Sequence, residues 1–176
     1  MLLAAGLGSL GCFGEVVPSD FEPPSNANPS PELKAPSRAD FKLVGDALIA
    51  SCGTLDCHGQ IGRNLRIYGN HSLRLRTEDN PGGNPTTDAE YDATYWSTIG
   101  LEPELLAQVV IAKGAQPERL QLFRKARGDD KHKGGLLMKP GDPIDRCLLG
   151  WLAGKTDEDT CTAAVPHNPL AEELAP

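Results

Sequence analysis

The chain has 176 residues, a length that fits one domain with additional segments, and its formal net charge of −7 comes without a cluster of Lys and Arg. This acidic balance argues against nucleic acid as a partner. Hydrophobic residues make up 39% of the chain and aromatic residues only 5%. This apolar content is low for a domain that builds its core from side chains alone. A buried prosthetic group would supply apolar area that the sequence lacks.

The N-terminus has the character of an export signal. An apolar run over residues 2–10 ends at Gly11 and Cys12 and is too short to span a bilayer as a helix. A cysteine after small and apolar residues resembles the lipobox of bacterial lipoproteins, although no Lys or Arg precedes the run and Ser9 stands where that motif usually has Leu. We expect residues 1–12 to be signal and lipobox, with Cys12 lipidated. The alternative is an ordinary cleaved signal.

A proline-rich stretch follows Cys12. Residues 13–36 contain six prolines, several Ser and Asn, and no apolar periodicity, which predicts a disordered linker. A linker after a lipid anchor would hold a folded domain away from the membrane, so we expect an exported protein that faces the periplasm or the cell exterior. We place the folded domain at residues 37–162 and a second disordered segment at residues 163–176.

The folded part begins with a predicted helix and a short extended element. Residues 37–51 carry Phe41, Val44 and Leu48 on one helical face, and this helix leads directly into Cys52. Residues 64–77 alternate apolar and charged side chains in two short runs separated by Gly-Asn-His-Ser, which predicts two small strands or an extended hairpin.

Further helices are predicted along the rest of the domain. Tyr91, Tyr95 and Trp96 recur at helical spacing and are expected to face the core. Proline and glycine mark the boundaries of the later segments. The sequence therefore predicts an all-α domain with long loops and one small extended hairpin, its later helices covering residues 87–99, 103–114, 117–127 and 142–155.

The motif Cys52-x4-Cys57-His58 carries the chemistry. Zinc is one option, but consecutive side chains diverge, so Cys57 and His58 cannot easily bind one metal, and no second C-x-x-C motif supplies the missing ligands. A disulfide between Cys52 and Cys57 is another, and it leaves the histidine without a role. Covalent haem accounts for the adjacency, because two thiols bond the porphyrin edge while the next imidazole reaches the iron.

At this point the chain resembles the c-type cytochromes. The resemblance covers roughly residues 37–154 and departs from the family in its four-residue linker, where two residues are usual; Gly53 is suited to the extra bend. It implies a cytochrome c-like fold and one haem c, attached by thioethers from Cys52 and Cys57. The residues that carry it are Gly45, Leu48 and Ile49 before the motif, Cys57-His58-Gly59 in the motif, and Met138, Pro140 and Trp151 after it.

The resemblance also implies the iron ligands. His58 is the proximal ligand, and Met138, before the proline-bearing loop, is the expected distal ligand. His132 is the alternative, whereas His71 in a turn and His167 in the tail are poorer candidates. An open sixth position is a further possibility, but the sequence places no general acid or base for peroxidase-like chemistry, so we expect no enzymatic activity.

The remaining cysteines fit this scheme. Cys147 in the last predicted helix and Cys161 after a short loop can form a disulfide, which is favoured over two free thiols in an exported chain. The acidic residues 157–160 are expected to form a solvated turn, and Arg74 is expected at the surface, with a contact to a haem propionate as the alternative.

These inferences predict an electron-transfer protein that carries one haem c (iron) and exchanges electrons with redox partner proteins. The alternative is a haem-less exported lipoprotein of cytochrome-like fold with a binding or structural role, held by disulfides Cys52–Cys57 and Cys147–Cys161. A zinc-stabilised module is the third possibility.

Overall fold

The computed structural model describes residues 33–79 and 84–166. The chain divides into two units, Met1–Glu32 and Leu33–Pro176, and every described residue belongs to the second. This part of the chain is helical and has no strand beyond an isolated bridge. The all-α prediction is therefore confirmed.

Several predictions concern residues outside the described ranges. The signal and lipobox with Cys12, most of the linker, and His167 with the rest of the tail belong to this group. Among the described residues no helix combines the length and the apolar character that a membrane crossing requires.

Six α-helices make up the described domain. Two short 3-10 turns, at Thr77–Asp79 and Pro117–Arg119, lie between them. The helices are α1 (Phe41–Cys52), α2 (Asp88–Ile99), α3 (Pro103–Ile111), α4 (Gln121–Ala126), α5 (Pro143–Ala153) and α6 (Glu158–Ala163).

Helix α1 is central to the core. Phe41, Val44 and Leu48 are all buried on one face, as the periodicity predicted. The ring of Phe41 lies 5.2 Å, between centroids, from Tyr95 of α2 and 5.2 Å from Trp151 of α5. Aromatic pairs at this separation add to the stabilisation from burial alone. These contacts hold the N-terminal end of α1 against α2 and α5, and Cys52 at the other end of the helix is buried as well.

Helices α5 and α6 are joined covalently. A disulfide connects Cys147 to Cys161, as predicted, and both cysteines are buried. Residues 157–160 were expected to form a solvated turn; residues 157–159 are indeed exposed, but the segment begins helix α6, which Asp157 caps by accepting a hydrogen bond from the Thr160 N–H (2.8 Å). Acidic residues favour the first turn of a helix, since they complement its dipole.

The segment after the motif does not form the predicted hairpin. Only an isolated bridge between Tyr68 and Leu73 remains. The backbone N–H of Arg66 donates to the Ser97 hydroxyl (2.7 Å), and that of Tyr68 donates to the Thr94 hydroxyl (2.8 Å). Because α2 satisfies these donors, the segment lies extended along that helix and does not pair with a second strand.

A buried ion pair fastens the end of this segment to α2. The Arg74 guanidinium donates to both carboxylate oxygens of Glu90, from Nε at 2.8 Å and from Nη2 at 3.1 Å, and both side chains are almost wholly inaccessible to solvent. The surface position expected for Arg74 is therefore wrong. Only a fully hydrogen-bonded geometry of this kind compensates the cost of burying two charges.

The aromatic face of α2 is only partly buried. Tyr91 and Tyr95 lie in the core, but Trp96 is 65% exposed, so its predicted core position is wrong. Adjacent residues on a helix are about 100° apart around its axis, and Tyr95 already takes the inward direction.

The helix predicted over residues 117–127 is interrupted. Leu120 adopts an extended conformation (ψ 133°) and separates the 3-10 turn from α4. Leu120 and Phe123 are both buried, so the core contact is kept across this break.

Candidate functional site

The motif loop folds into a tight turn at the end of α1. The Cys57 N–H donates to Thr54 O (2.8 Å), the His58 N–H donates to Cys52 O (3.0 Å), and the Gly59 N–H donates to Thr54 O (3.0 Å). The four-residue linker is therefore accommodated by local hydrogen bonds that bring the histidine back beside the first cysteine.

Two glycines permit this turn for a reason other than the one the sequence suggested. Gly53 has an ordinary helical conformation (φ −80°), so no special bend is needed there. A Cβ at Gly53 would lie 2.7 Å from Ile49 O and 2.8 Å from the Ser72 hydroxyl. At Gly59 a Cβ would collide with the carbonyl oxygen of Gly53. Close approach of backbone and side-chain atoms excludes a larger residue at both positions.

The imidazole of His58 is oriented by a backbone carbonyl. Its Nδ1 lies 3.0 Å from Leu65 O, and because a carbonyl only accepts, this contact requires the Nδ1–H tautomer and leaves Nε2 with a free lone pair. Burial lowers the pKa of His58, with smaller contributions in the same direction from His132 and Arg63, while the Leu65 carbonyl opposes them. A neutral imidazole with one nitrogen held by a carbonyl is the form in which histidine binds metals.

A cavity of about 330 Å³ lies beside this histidine. Cys52, His58 and His132 line it together with two basic side chains, Arg63 and Lys125. This volume falls within the range of small-molecule and cofactor sites, which are mostly apolar with a few polar groups. The apolar part of the lining is formed by Leu65, Leu101, Leu122, Ala126 and Leu137.

The two motif cysteines are free thiols in different surroundings. Cys52 is buried, and this burial, together with the neighbouring Cys57, raises the pKa of its thiol to about 12. Cys57 is half-buried in the turn and is not among the residues that line the cavity. Cys52 therefore remains a protonated thiol near neutral pH.

The predicted distal ligands occupy different places. The rings of His58 and His132 have centroids 6.0 Å apart and planes inclined by 22°. Met138 is buried in the hydrophobic core and does not line the cavity, whereas its neighbour Leu137 does. His71 is exposed in a turn with a left-handed backbone (φ 60°) and does not line the cavity either. The structure thus brings His132 to His58.

Two supporting residues went unnoticed at the sequence level. Arg63 Nε donates to Cys57 O at 3.0 Å and ties the motif loop to the following segment. Leu65 supplies both the carbonyl for His58 and part of the cavity wall. Leu65 and Ile67 are buried, while Arg66 between them is exposed. This alternation of apolar and charged residues in the sequence could have located the cavity wall.

No group of three or more His, Cys, Asp or Glu side chains that could hold a metal ion occurs in residues 33–79 and 84–166. The four-ligand arrangement of a structural zinc site is therefore not assembled in the described domain. Comparisons with family models, with curated proteins and with solved structures found no match for this chain.

Proposed function

We propose that this protein is an electron carrier that holds one haem c through thioether bonds from Cys52 and Cys57, with His58 as an iron ligand. The observation that supports the proposal is that two residues of the motif, Cys52 and His58, line the same cavity. The imidazole of His58 is oriented with Nε2 free, and Cys52 is a buried, unpaired thiol. When bound, the haem supplies a one-electron ferrous–ferric couple.

The residues present fit such a group. The cavity has leucines along its wall for the apolar porphyrin faces, and Arg63 and Lys125 can contact carboxylates at its edge. Cys52 lines the cavity, and Cys57 is half-buried directly before the histidine in the same turn, so in this proposal its thioether would form at the cavity edge.

The thiols would attach the group by addition. Each Cys S–H adds across one vinyl C=C bond, so a carbon–sulfur bond forms, the proton passes to the other vinyl carbon, and no oxidant is consumed. The raised pKa of Cys52 keeps this thiol protonated until attachment. Because the turn is tight, both sulfurs and the imidazole are held in one short segment.

The protein would catalyse no reaction by itself and would exchange single electrons with redox partner proteins. Exposed apolar residues occur close to the cavity: Leu136 is 56% exposed and Ile61 is 77% exposed. Weak docking contacts of the kind used in electron transfer need only a small patch of this type.

Spectroscopy of the full chain tests the proposal. The protein is produced in a host that has a haem-ligation system, and acid–acetone extraction is applied to the product. We expect a Soret band that stays with the protein, and its loss from the protein in Cys52→Ala/Cys57→Ala. The matched control is Cys147→Ala/Cys161→Ala, which removes the other cysteine pair and should retain the band. A colourless wild-type protein would overturn the proposal.

Export and anchoring through Cys12 are part of the same proposal. The sequence signature alone supports them, since this residue lies outside the described domain. Cell fractionation tests this point: the wild type should be found in the membrane fraction, and Cys12→Ala should leave it. If both forms fractionate identically, the lipid anchor is refuted while the haem site is unaffected.

A further inference from the structure

We propose that His132 is the second axial ligand of the iron, opposite His58, so that the site is a bis-histidine site. This inference rests on the proposed haem binding and adds to it the identity of the sixth ligand. It replaces Met138, which the sequence motif favoured, by a residue that the fold brings to the cavity.

The distance between the two rings agrees with the distance expected for two imidazoles bound to one metal, and their planes are inclined by 22°. A metal–nitrogen bond to imidazole is about 2 Å long, and the nitrogen lies about 1 Å from the ring centre, so two such ligands on opposite sides of one metal have ring centroids about 6 Å apart. The observed centroid distance between His58 and His132 is 6.0 Å, and both residues line the same cavity.

The two imidazoles are oriented in the same way. His58 Nδ1 contacts Leu65 O at 3.0 Å, and His132 Nδ1 contacts Gly135 O at 3.3 Å. Each carbonyl selects the Nδ1–H tautomer and leaves Nε2 as the free donor atom. A metal-binding histidine usually donates its other ring N–H to a carbonyl or carboxylate, so both residues have the partner that ligation requires.

The loop that carries His132 is anchored at both ends to α4. At its start, the Asp130 carboxylate accepts from Arg124 Nε at 2.8 Å, and Lys125 Nζ donates to Lys131 O at 3.3 Å. At its end, the Leu137 N–H donates to Ala126 O at 2.9 Å.

The tight turn at the tip of this loop is closed by the Gly135 N–H, which donates to His132 O at 2.9 Å. The histidine is thus positioned before any ligand binds.

Met138 is engaged elsewhere. Its side chain is 1% exposed and belongs to the hydrophobic core, and its backbone N–H donates to Ala126 O at 3.1 Å. To reach the iron, the thioether would have to leave the core and open a cavity there. His132 needs no such rearrangement.

Two consequences follow for the site. Replacing a methionine ligand by histidine lowers the reduction potential relative to a His/Met site, because methionine ligation raises it. Occupation of both axial positions by the protein also leaves no free coordination position for a small gaseous ligand such as carbon monoxide.

The test compares two variants of the haem-loaded protein. In His132→Ala we expect a change from six-coordinate low-spin to high-spin iron in the absorption spectrum, rapid carbon monoxide binding by the ferrous form, and restoration of the low-spin spectrum by added imidazole. Met138→Leu, which conserves volume in the core, should keep the wild-type spectrum. The inference is overturned if Met138→Leu changes the coordination and His132→Ala does not.

A second measurement separates failure of this inference from failure of covalent attachment. Free haemin is added to Cys52→Ala/Cys57→Ala, which cannot form thioethers. Low-spin six-coordinate haemin that is lost in the additional variant His132→Ala supports the axial pair even if the wild type carries no covalent haem. If haemin added to this protein gives a high-spin spectrum with His132 present, the axial assignment is wrong.

Discussion

The close approach at Gly59 yields a sharp prediction about the motif loop. A Cβ at this position would come within 3.0 Å of Thr54 O and closer still to Gly53 O. Both oxygens belong to the backbone, so no change of side-chain rotamer relieves the overlap. Since an ordinary carbon–oxygen contact is about 3.3 Å or longer, Gly59→Ala requires the loop to open by up to about 1 Å.

The free-energy cost of opening the loop has two parts, the overpacking itself and the weakening of a hydrogen bond that the loop positions. Overpacking in a closely packed region destabilises by about 1–3 kcal/mol, and here the contacts are with rigid backbone, which favours the upper end. Displacing the loop also weakens the hydrogen bond between His58 Nδ1 and Leu65 O, for which about 1 kcal/mol is typical. We therefore expect Gly59→Ala to lower the free energy of unfolding by about 3–4 kcal/mol.

Gly62→Ala is the matched control, since a Cβ there meets no atom within 4 Å. Its free energy of unfolding should stay within about 0.5 kcal/mol of the wild type. Urea denaturation followed by far-ultraviolet circular dichroism measures both, with the midpoint as readout where the slope is unchanged. If the two variants have the same midpoint, the loop does not approach itself as described, and the reasoning about the motif turn is refuted.

Three further predictions concern the buried charges and the disulfide. Arg74→Met leaves the Glu90 carboxylate buried without its partner and should lower the free energy of unfolding by about 3–5 kcal/mol in urea denaturation. Part of this loss should be recovered in Arg74→Met/Glu90→Leu, although that variant also removes the hydrogen bonds that Glu90 accepts from Thr87 and Leu75; an equal loss in both variants would contradict this. Burial alone would raise the pKa of Glu90, but hydrogen bonds from Thr87, Leu75 and Arg74 hold this pKa below its usual value. The contribution of Glu90 to stability is therefore present above the usual glutamate pKa and is lost as the pH falls through the folded-state pKa. Urea midpoints should fall less steeply in Glu90→Gln than in the wild type from about pH 5 to about pH 2, and parallel curves for the two proteins would be inconsistent with this prediction. Removing the disulfide, whose cysteines are 14 residues apart, in Cys147→Ala/Cys161→Ala should lower the free energy of unfolding by about 3 kcal/mol, whereas reduction of this variant should have no further effect on the midpoint.

The fold was predictable where a long amphipathic pattern determines burial by itself. Phe41, Val44 and Leu48 recur at helical spacing, and each lies on the buried face of α1. The alternating segment after the motif was only half predictable. Its apolar residues do face inward, but the partner that satisfies its backbone donors is a row of hydroxyl groups on α2, Thr94 and Ser97. Local sequence carries no information about a hydrogen-bond partner some thirty residues away.

The candidate site, too, was predictable from the sequence only in part. The motif names Cys52, Cys57 and His58, because their spacing is a local property of the chain. The opposing residue is set by tertiary structure, and the choice between His132 and Met138 depends on which side of a loop faces the cavity. Helical or strand periodicity does not extend through that glycine-rich loop, so the sequence left both residues open.

The two cysteine pairs of the domain differ in a way that ties stability to the site. Cys147 and Cys161 lie on two helices that pack together, so their disulfide closes across a contact that burial already favours. Helix α1 packs against both of these helices, and the motif turn begins where α1 ends.

Cys52 and Cys57, by contrast, are free thiols at the two ends of one tight turn beside the cavity, and backbone hydrogen bonds stabilise this turn. The Cys147–Cys161 disulfide therefore joins the two helices against which α1 packs, and Cys52 lies at the C-terminal end of α1. If haem binds as proposed, this arrangement would hold the ligands in place before the cofactor arrives, which would reduce the entropy that binding must overcome.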